Sequence, residues 1–195
     1  MDTVVVFTPA PGPSGILDDF NRANEDLEAS ANWSLGGASG ELGVVSNTLQ
    51  RTGGPTTDSD SMLWVTTFNA DQWAEIELTS APSASGSIVM VYLRWQDTSN
   101  YIRCLAVRND LDTSEEYYIW EVDGGTATSI GSYEPNGTIS YPDTIRCEVV
   151  GTGVEMFLND VSILTATTGV AGTGQIGVSQ RNGNWILDNF DGGNL

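Results

Sequence analysis

Short runs of alternating apolar and polar residues, separated by turn-forming residues, constrain the fold of this chain most strongly. The stretch SIVMVYLRWQDTSNYIRCLAV shows the pattern. Its first half, Ser87–Arg94, is apolar on one side and apolar to mixed on the other. Gln96–Asn100 has turn chemistry, and Tyr101–Val107 returns as a second strand. A strand that is apolar on nearly both faces is predicted for the middle of a sheet covered on both sides.

The same signals recur along the chain, and no segment has the 3.6-residue period of a long helix. In Gln72–Leu78 the alternation is typical of a sheet with one wet face. Asn21–Ser30 fits either one helical turn or a loop. The other predicted strands are Gly43–Ser46, Thr48–Arg51, Ser61–Phe68, Glu116–Val122, Thr126–Tyr133, Thr144–Val150, Val154–Leu158, Val161–Thr167, Gly174–Ser179 and Asn184–Asp188. Many short strands at regular spacing predict an all-β antiparallel sandwich or barrel.

The first fifteen residues are predicted to be separate from the domain that follows. Met1–Thr8 has the composition of a short strand, and Pro9–Gly15 is too rich in proline and glycine for regular structure. We therefore expect an N-terminal arm and linker over residues 1–15, with the arm able to dock on a neighbouring molecule, and one domain over residues 16–195. The start of the chain lacks the basic region of a signal peptide, and no run approaches the roughly 20 apolar residues of a membrane span.

The charge of the chain excludes several classes of partner and mechanism. Its 195 residues include 26 acidic residues against 7 basic ones, and the formal net charge is −19. A nucleic-acid backbone or an anionic membrane would be repelled. There is no histidine, so Ser-His and Cys-His catalysis is excluded. The two cysteines, Cys104 and Cys147, lie within predicted strands and are interpreted as buried free thiols or, alternatively, as a cross-strand bridge.

Four segments in order resemble the concanavalin A-like lectin/glucanase superfamily in its laminin-G-like branch. They are the opening LDDFNRAN of Leu17–Asn24 with Asn32-Trp33 after it, the hairpin Arg94–Tyr101, the hairpin Val154–Val161 with Asp160 in place of a usual glycine, and the closing segment Gly174–Phe190. The resemblance covers about residues 16–195. It implies a jelly-roll sandwich of two antiparallel sheets with the first and last strands adjacent, of the type found in bacteriophage virion proteins.

Glycoside hydrolases of this superfamily use carboxylates on one strand, in a pattern similar to E-x-D-x-x-E. Glu75 and Glu77 superficially resemble that pattern, but the middle aspartate and the third acid are missing. The two residues would stand about 7 Å apart along a strand, whereas a retaining mechanism needs about 5–5.5 Å between its carboxyl groups. We interpret the pair as solvated acids, and we expect no enzymatic activity and no catalytic residues.

Aspartates supply the oxygen ligands that calcium prefers. The candidates are Asp18, Asp19, Asp58, Asp60, Asp110, Asp112, Asp188 and Asp191. None of them has EF-hand spacing, so no metal ligand is assigned. The sequence predicts no cofactor and leaves a structural calcium ion open.

The candidate ligand site is the turn after Trp95. An indole can stack on a sugar ring, and Asp97 and Asn100 beside it can bind hydroxyl groups. Trp95 is expected to be exposed at the lip of this turn. The tryptophans within strands, Trp64, Trp120 and Trp185, are predicted to be core residues.

The sequence therefore favours a non-enzymatic structural or interaction protein of a bacteriophage particle, in a capsid decoration, tail or fibre. Its partners would be other virion proteins and host-surface glycans. The chain would form a homo-oligomer or assemble on a capsid or tail lattice. Assembly would occur in the host cytoplasm. The alternative is a carbohydrate-binding module of a bacterial surface or secreted protein, with an extracellular or cell-surface location.

Overall fold

The structure, a computed structural model, describes residues 15–37, 41–53, 61–80, 86–108, 115–135 and 141–195. The predicted N-terminal arm lies outside these residues. The described part contains one 3₁₀ turn, Leu27–Ala29, and no helix long and apolar enough to cross a membrane. Its strands are, in chain order, β1 (Glu25–Asp26), β2 (Trp33–Leu35), β3 (Leu42–Val45), β4 (Thr48–Arg51), β5 (Met62–Trp64), β6 (Gln72–Ser80), β7 (Ile88–Asp97), β8 (Asn100–Arg108), β9 (Glu115–Asp123), β10 (Thr126–Tyr133), β11 (Asp143–Val150), β12 (Gly153–Leu158), β13 (Val161–Thr167), β14 (Gln175–Arg181) and β15 (Ile186–Asn194).

The strands form two antiparallel sheets. One has eight strands in the order β1-β3-β4-β15-β6-β11-β12-β13, and the other has seven in the order β10-β9-β8-β7-β14-β5-β2. β7 lies at the centre of the seven-stranded sheet, and its residues from Val89 to Trp95 are buried whichever face they point to. The predicted all-β architecture and the central place of this strand are confirmed.

The hydrophobic core lies between the two sheets. Every second residue of β6 and of β7 contributes to it, namely Ala74, Ile76, Leu78, Val89, Val91 and Leu93. Removing these side chains from water is the main force that holds the sheets face to face. The alternation predicted for β6 is confirmed, because Glu75 and Glu77 point to the opposite face. Their interpretation as solvated acids is wrong, because both are half-buried on a face that also carries the buried Trp73.

The two cysteines meet in this core from opposite sheets. Cys104 comes from β8 and Cys147 from β11, and both are buried free thiols. Burial raises the pKa of the Cys147 thiol well above its ordinary value, and a hydrogen bond with Cys104 adds to the shift. The interpretation as buried free thiols is confirmed.

The beginning of the domain pairs with its last strand. The backbone N–H of Asp18 donates to the carbonyl of Phe190 at 3.0 Å, and the N–H of Phe190 donates back at 2.9 Å. The Asp18 carboxylate also accepts the indole N–H of Trp33 at 2.7 Å and the backbone N–H of Phe20 at 2.9 Å. The first segment of the domain therefore meets the last strand at an isolated bridge. The first strand itself, β1, pairs with β3, so the adjacency of first and last strands that the resemblance implies is present only in this bridge.

An irregularity at Arg94 interrupts the alternation of β7. Arg94 has a left-handed φ of 49°, and the pairing register with β8 shifts after Leu93. Its buried guanidinium donates to three main-chain carbonyls, those of Ala70 at 2.7 Å, Val170 at 2.6 Å and Gly151 at 2.7 Å. As a result the side chain of the next residue, Trp95, packs on the outer face of the sheet.

Candidate functional site

The outer face of the seven-stranded sheet carries a second apolar cluster, separate from the core between the sheets. Its buried members are Leu63, Met90, Tyr92, Trp95 and Leu105. Half-buried side chains pack against them, namely Ile88, Tyr101, Tyr118 and Trp120. The outer face of an antiparallel sheet is usually polar. A contiguous apolar and aromatic surface in that position is typical of a binding site.

Strand register places these side chains in rows across the sheet. Trp120, Arg103 and Tyr92 are direct neighbours on β9, β8 and β7. The next row contains Tyr118, Leu105 and Met90 and continues to Ser179 on β14. Side chains directly opposite each other on one face have Cβ atoms about 4.5–5.5 Å apart. The rows therefore form one continuous surface from four strands.

A groove of about 310 Å³ opens on this surface. Its lining combines aliphatic side chains, two aromatic rings and two guanidinium groups, namely Ile88, Met90, Arg103, Leu105, Val107, Tyr118, Trp120 and Arg181. Small-molecule sites typically have this composition, an apolar wall with a few polar groups that fix orientation, and volumes of about 300–1,000 Å³.

Arg103 is the polar group at the centre of the groove. Its guanidinium carbon lies 5.5 Å from the centroid of the Trp120 ring, which is within cation–π distance. One terminal nitrogen, Nη1, lies 3.8 Å from the sulfur of Met90. Within the described part of the chain, its buried Nε has no hydrogen-bond partner. The side chain is thus held beside an aromatic ring with donor capacity to spare.

Hydroxyl groups underlie the apolar surface. The buried hydroxyl of Tyr92 accepts a hydrogen bond from Ser61 at 3.0 Å and shares another with Ser179 at 2.9 Å. Burial raises the pKa of Tyr92 above its ordinary value. At the groove wall, the hydroxyl of Tyr118 donates to Glu116 at 2.6 Å, which raises the pKa of Tyr118 to about 12. Both tyrosines therefore stay neutral and present aromatic rings in fixed positions.

Trp95 is less accessible than the sequence predicts. Its side chain is 7% exposed, and its ring stacks on Tyr101 with centroids 4.3 Å apart and planes 14° apart. The edge of Tyr92 contacts it as well, at 4.9 Å between centroids. The expected exposure at the lip of the turn is wrong, because the irregularity at Arg94 turns this ring onto the sheet.

Asp97 and Asn100 hold the turn that follows Trp95. The Asp97 carboxylate accepts the backbone N–H of Ser99 at 2.7 Å and the side-chain amide of Asn100 at 3.0 Å. The Asn100 carbonyl oxygen accepts the backbone N–H of Gly124 at 3.1 Å. These polar groups are committed to turn structure, although Asp97 is exposed. A role for Trp95, Asp97 and Asn100 in ligand binding stays a prediction.

The acids of the eight-stranded sheet have partners within the protein. Glu75 lies opposite Arg146 in the strand register, and Arg146 pairs with Glu148 at 3.1 Å and with Asp160 at 2.9 Å. Burial raises the pKa of Glu75 and of Glu148. Glu77 accepts a hydrogen bond from the side-chain amide of Asn189 at 2.8 Å. Glu75, Glu77 and Glu148 are therefore parts of a packed polar face of this sheet.

Calcium stays an untested prediction. In the described ranges, no group of three or more acidic or cysteine side chains is arranged to hold a metal ion. Asp18 is occupied by the hydrogen bonds that tie the first segment down. Four of the candidate ligands lie outside the described residues, namely Asp58, Asp60, Asp110 and Asp112.

Solved structures with the same fold include the carbohydrate binding module CBM66 from Bacillus subtilis, with 13% identity, a TM-score of 0.66, and coverage of 83% of this chain and 95% of that one. A β-glucanase from Bacillus licheniformis has 10% identity, a TM-score of 0.61 and coverage of 91% and 96%. The GH43 BlXynB protein from the same species has 17% identity and a TM-score of 0.62, and this chain covers only 38% of it.

No protein-family model and no curated protein matches the chain. The structural likeness, at these identities, establishes the fold alone. That fold is the concanavalin A-like or galectin-like jelly roll, so the predicted fold class is confirmed.

The residues that line the groove were not predicted from the sequence. Trp120 is predicted as a core residue, yet it lies on the outer face and is half-buried. The signal was present in the alternation EYYIWEV, where Tyr118 and Trp120 share a face opposite to Tyr117 and Ile119. Which of the two faces points outward depends on the pairing of β9 with β8, and a single strand does not reveal that.

Proposed function

We propose that this chain is a non-catalytic carbohydrate-binding domain whose ligand lies in the groove beside Trp120 and Arg103. The observation that carries the proposal is the aromatic groove with guanidinium groups on the outer face of a jelly-roll sheet. The resemblance to CBM66, described as a carbohydrate binding module and overlapping most of both chains, supports it.

The lining suits the two kinds of surface that a sugar presents. The C–H face of a sugar ring is apolar and packs on aromatic rings such as Trp120 and Tyr118. Its hydroxyl groups need donors and acceptors, and Arg103 and Arg181 supply donors at the groove. The surface is formed by strands rather than loops, so its side chains are held before the ligand arrives, which lowers the entropy cost of binding.

The phage-particle hypothesis has less support. Its main structural feature is the N-terminal arm, which lies outside the described residues. The three solved structures named above are described as a carbohydrate binding module, a β-glucanase and a GH43 protein. The alternative that the sequence leaves open, a carbohydrate-binding module, is therefore the basis of the proposal.

The proposal predicts that Trp120→Ala weakens sugar binding. The full chain is applied to a glycan array containing neutral and acidic saccharides, and the best ligand is then titrated by calorimetry. Removing the ring takes away the stacking surface, and we expect the Kd to rise about ten-fold, which corresponds to about 1.4 kcal/mol. Circular dichroism verifies that the variant keeps its strand content.

Tyr133→Ala serves as the control, because Tyr133 is a partly exposed aromatic residue on β10 that does not line the groove. Its affinity should equal that of the wild-type chain. Unchanged binding by Trp120→Ala, or an array with no bound glycan, would contradict the proposal. Release of shorter saccharides during incubation, abolished in Glu75→Gln, would contradict its non-catalytic part.

A further inference from the structure

We infer that the groove recognises an acidic saccharide, and that Arg103 binds the carboxylate of a uronic-acid unit. The inference rests on the proposed function, and it adds the chemical class of the ligand. Its basis is the set of contacts that Arg103 makes. These contacts include no carboxylate and no main-chain carbonyl among the described residues, whereas Arg22, Arg94 and Arg146 have such partners.

Arg103 lacks an anionic partner among the described residues. Its guanidinium contacts a thioether sulfur and an aromatic ring, neither of which carries a negative charge. Its Nε is buried without a hydrogen-bond partner in the described ranges. Guanidinium nitrogens of Arg22 and Arg146 are in the same state, but those two arginines have carboxylate partners and Arg103 has none among the described residues. A buried charged donor without an acceptor is unfavourable. A ligand that supplies a negatively charged acceptor would remove this penalty on binding.

Three other arginines of the chain have carboxylate or carbonyl partners. Arg22 pairs with Asp18 at 2.5 Å and with Glu25 at 2.6 Å. Arg146 pairs with Glu148 and Asp160. Arg94 donates to three main-chain carbonyls. In a chain with 26 acidic residues, an arginine held on an aromatic surface apart from carboxylates is unusual.

Arg103 brings a positive charge to the lining of the groove. This lining contains Arg103 and Arg181 and no acidic residue within the described part of the chain. Glu116 lies in the same row as Val107 and Arg181, and its carboxylate accepts the hydroxyl of Tyr118. The surrounding acids repel anions at long range, whereas contact distances and partial burial favour the arginines.

The geometry favours a carboxylate attached to a sugar ring. Arg103 lies over Trp120, so a sugar ring beside that indole is within reach of the guanidinium. The planar fork of arginine matches a carboxylate through two parallel hydrogen bonds. A uronic-acid unit combines both features, an apolar ring face for Trp120 and a carboxylate for Arg103.

The test compares a negatively charged ligand with its uncharged methyl ester. The full chain is titrated with trigalacturonic acid and with its trimethyl ester, each in 20 mM and in 300 mM NaCl. We expect the acid to bind about ten-fold more tightly than the ester at low salt, because a hydrogen bond between charged groups is stronger than one to an ester. The preference should shrink at high salt.

Two variants assign the preference to Arg103. Arg103→Gln keeps a polar side chain without charge, and it should bind acid and ester with equal affinity. Arg51→Gln removes the same charge from β4 in the other sheet, and it should keep the ten-fold preference. A preference that survives in Arg103→Gln, or that is lost equally in both variants, would overturn the inference.

The remaining outcomes separate this inference from the proposed function. Equal affinity of the wild-type chain for acid and ester, with both lost in Trp120→Ala, would overturn the acidic-saccharide inference and leave the carbohydrate-binding proposal in place. Binding of neutral glycans only would do the same. A ten-fold preference for sulfated over carboxylated saccharides would overturn the carboxylate assignment. An absence of binding to every saccharide would overturn both proposals.

Discussion

Arg94 shows how one residue connects several parts of this fold. The residue is 1% exposed, and its guanidinium donates to carbonyls of three separate segments, at Ala70, Gly151 and Val170. Each of these carbonyls belongs to a connection between strands, where no ladder partner is available. A buried carbonyl without a donor is costly, so this side chain supplies bonds that the backbone cannot.

We predict that Arg94→Met destabilises the protein by about 3 kcal/mol or more, because one buried and two part-buried main-chain carbonyls lose a charged donor. The free energy of unfolding, measured by urea denaturation, gives the value. Arg108→Met is the matched control, since Arg108 at the end of β8 is half-buried and makes no side-chain hydrogen bond with the described residues. A loss below about 1 kcal/mol for Arg94→Met would refute the role assigned to these bonds.

The same residue explains where residue-level prediction succeeded and where it failed. The alternation of Ser87–Arg94 correctly placed Val89 and Val91 in the core and indicated an apolar opposite side. The left-handed conformation of Arg94 is unusual for a non-glycine residue, and no local signal predicts it. Trp95 was expected in solvent because it adjoins the predicted turn, yet it stacks on Tyr101.

At the scale of strands, β14 depends on close approach between main chains. A Cβ atom added to Gly177 would lie 2.3 Å from the carbonyl oxygen of Met62 and 2.7 Å from a methyl group of Leu63. Both residues belong to β5, which pairs with β14 at this position. The neighbour nearest to the added Cβ is backbone, so a side chain here requires the two strands to move apart.

We predict that Gly177→Ala destabilises the protein by about 2 kcal/mol, because overpacking against backbone cannot be relieved by a rotamer change. Thermal unfolding followed by circular dichroism measures the effect. Gly53→Ala is the control, since the nearest atom to its added Cβ is a carboxylate oxygen of Glu41 at 3.8 Å. Equal melting temperatures for the two variants would show that β5 and β14 adapt more easily than we expect.

The boundaries of most strands were predictable, and the exceptions have physical causes. Ser61–Phe68 was predicted as one strand, but only Met62–Trp64 pairs continuously, and Phe68 makes an isolated bridge to Gly174. Asn184–Asp188 was predicted, whereas β15 extends to Asn194 through a glycine pair that its composition disfavours. Sheet order and strand register could not be predicted, because they depend on contacts between distant segments, and the groove depends on both.

At the scale of the whole molecule, burial shifts the pKa values of several acidic side chains in the same direction. It raises the pKa of five carboxyl groups, those of Glu75, Glu115, Glu148, Asp188 and Asp191. Glu115 is the most buried of them, at 1% exposed, and accepts hydrogen bonds from the hydroxyls of Tyr117 and Tyr141. These bonds favour the charged form, but desolvation outweighs them.

These raised pKa values determine how the stability of the folded state changes with pH, because proton binding and folding are linked. A carboxyl group with a raised pKa in the folded state binds more protons when folded than when unfolded, where its pKa is about 4. Its contribution therefore favours folding most below the unfolded pKa, and that contribution is lost as the pH rises through the folded pKa. Protonation also reduces the repulsion within a chain of net charge −19. Both effects predict greater stability at pH 5 than at pH 7.5.

The two contributions can be separated by salt and by one substitution. Salt screens repulsion between surface charges but affects buried groups much less. The urea midpoint should therefore be higher at pH 5 than at pH 7.5 even in 0.5 M NaCl, and Glu115→Gln should reduce this difference because its side chain does not titrate. A midpoint that falls on going from pH 7.5 to pH 5 would contradict the assignment of raised pKa values to these acids. A difference that disappears in salt and is unaffected by Glu115→Gln would instead identify surface repulsion as its sole source.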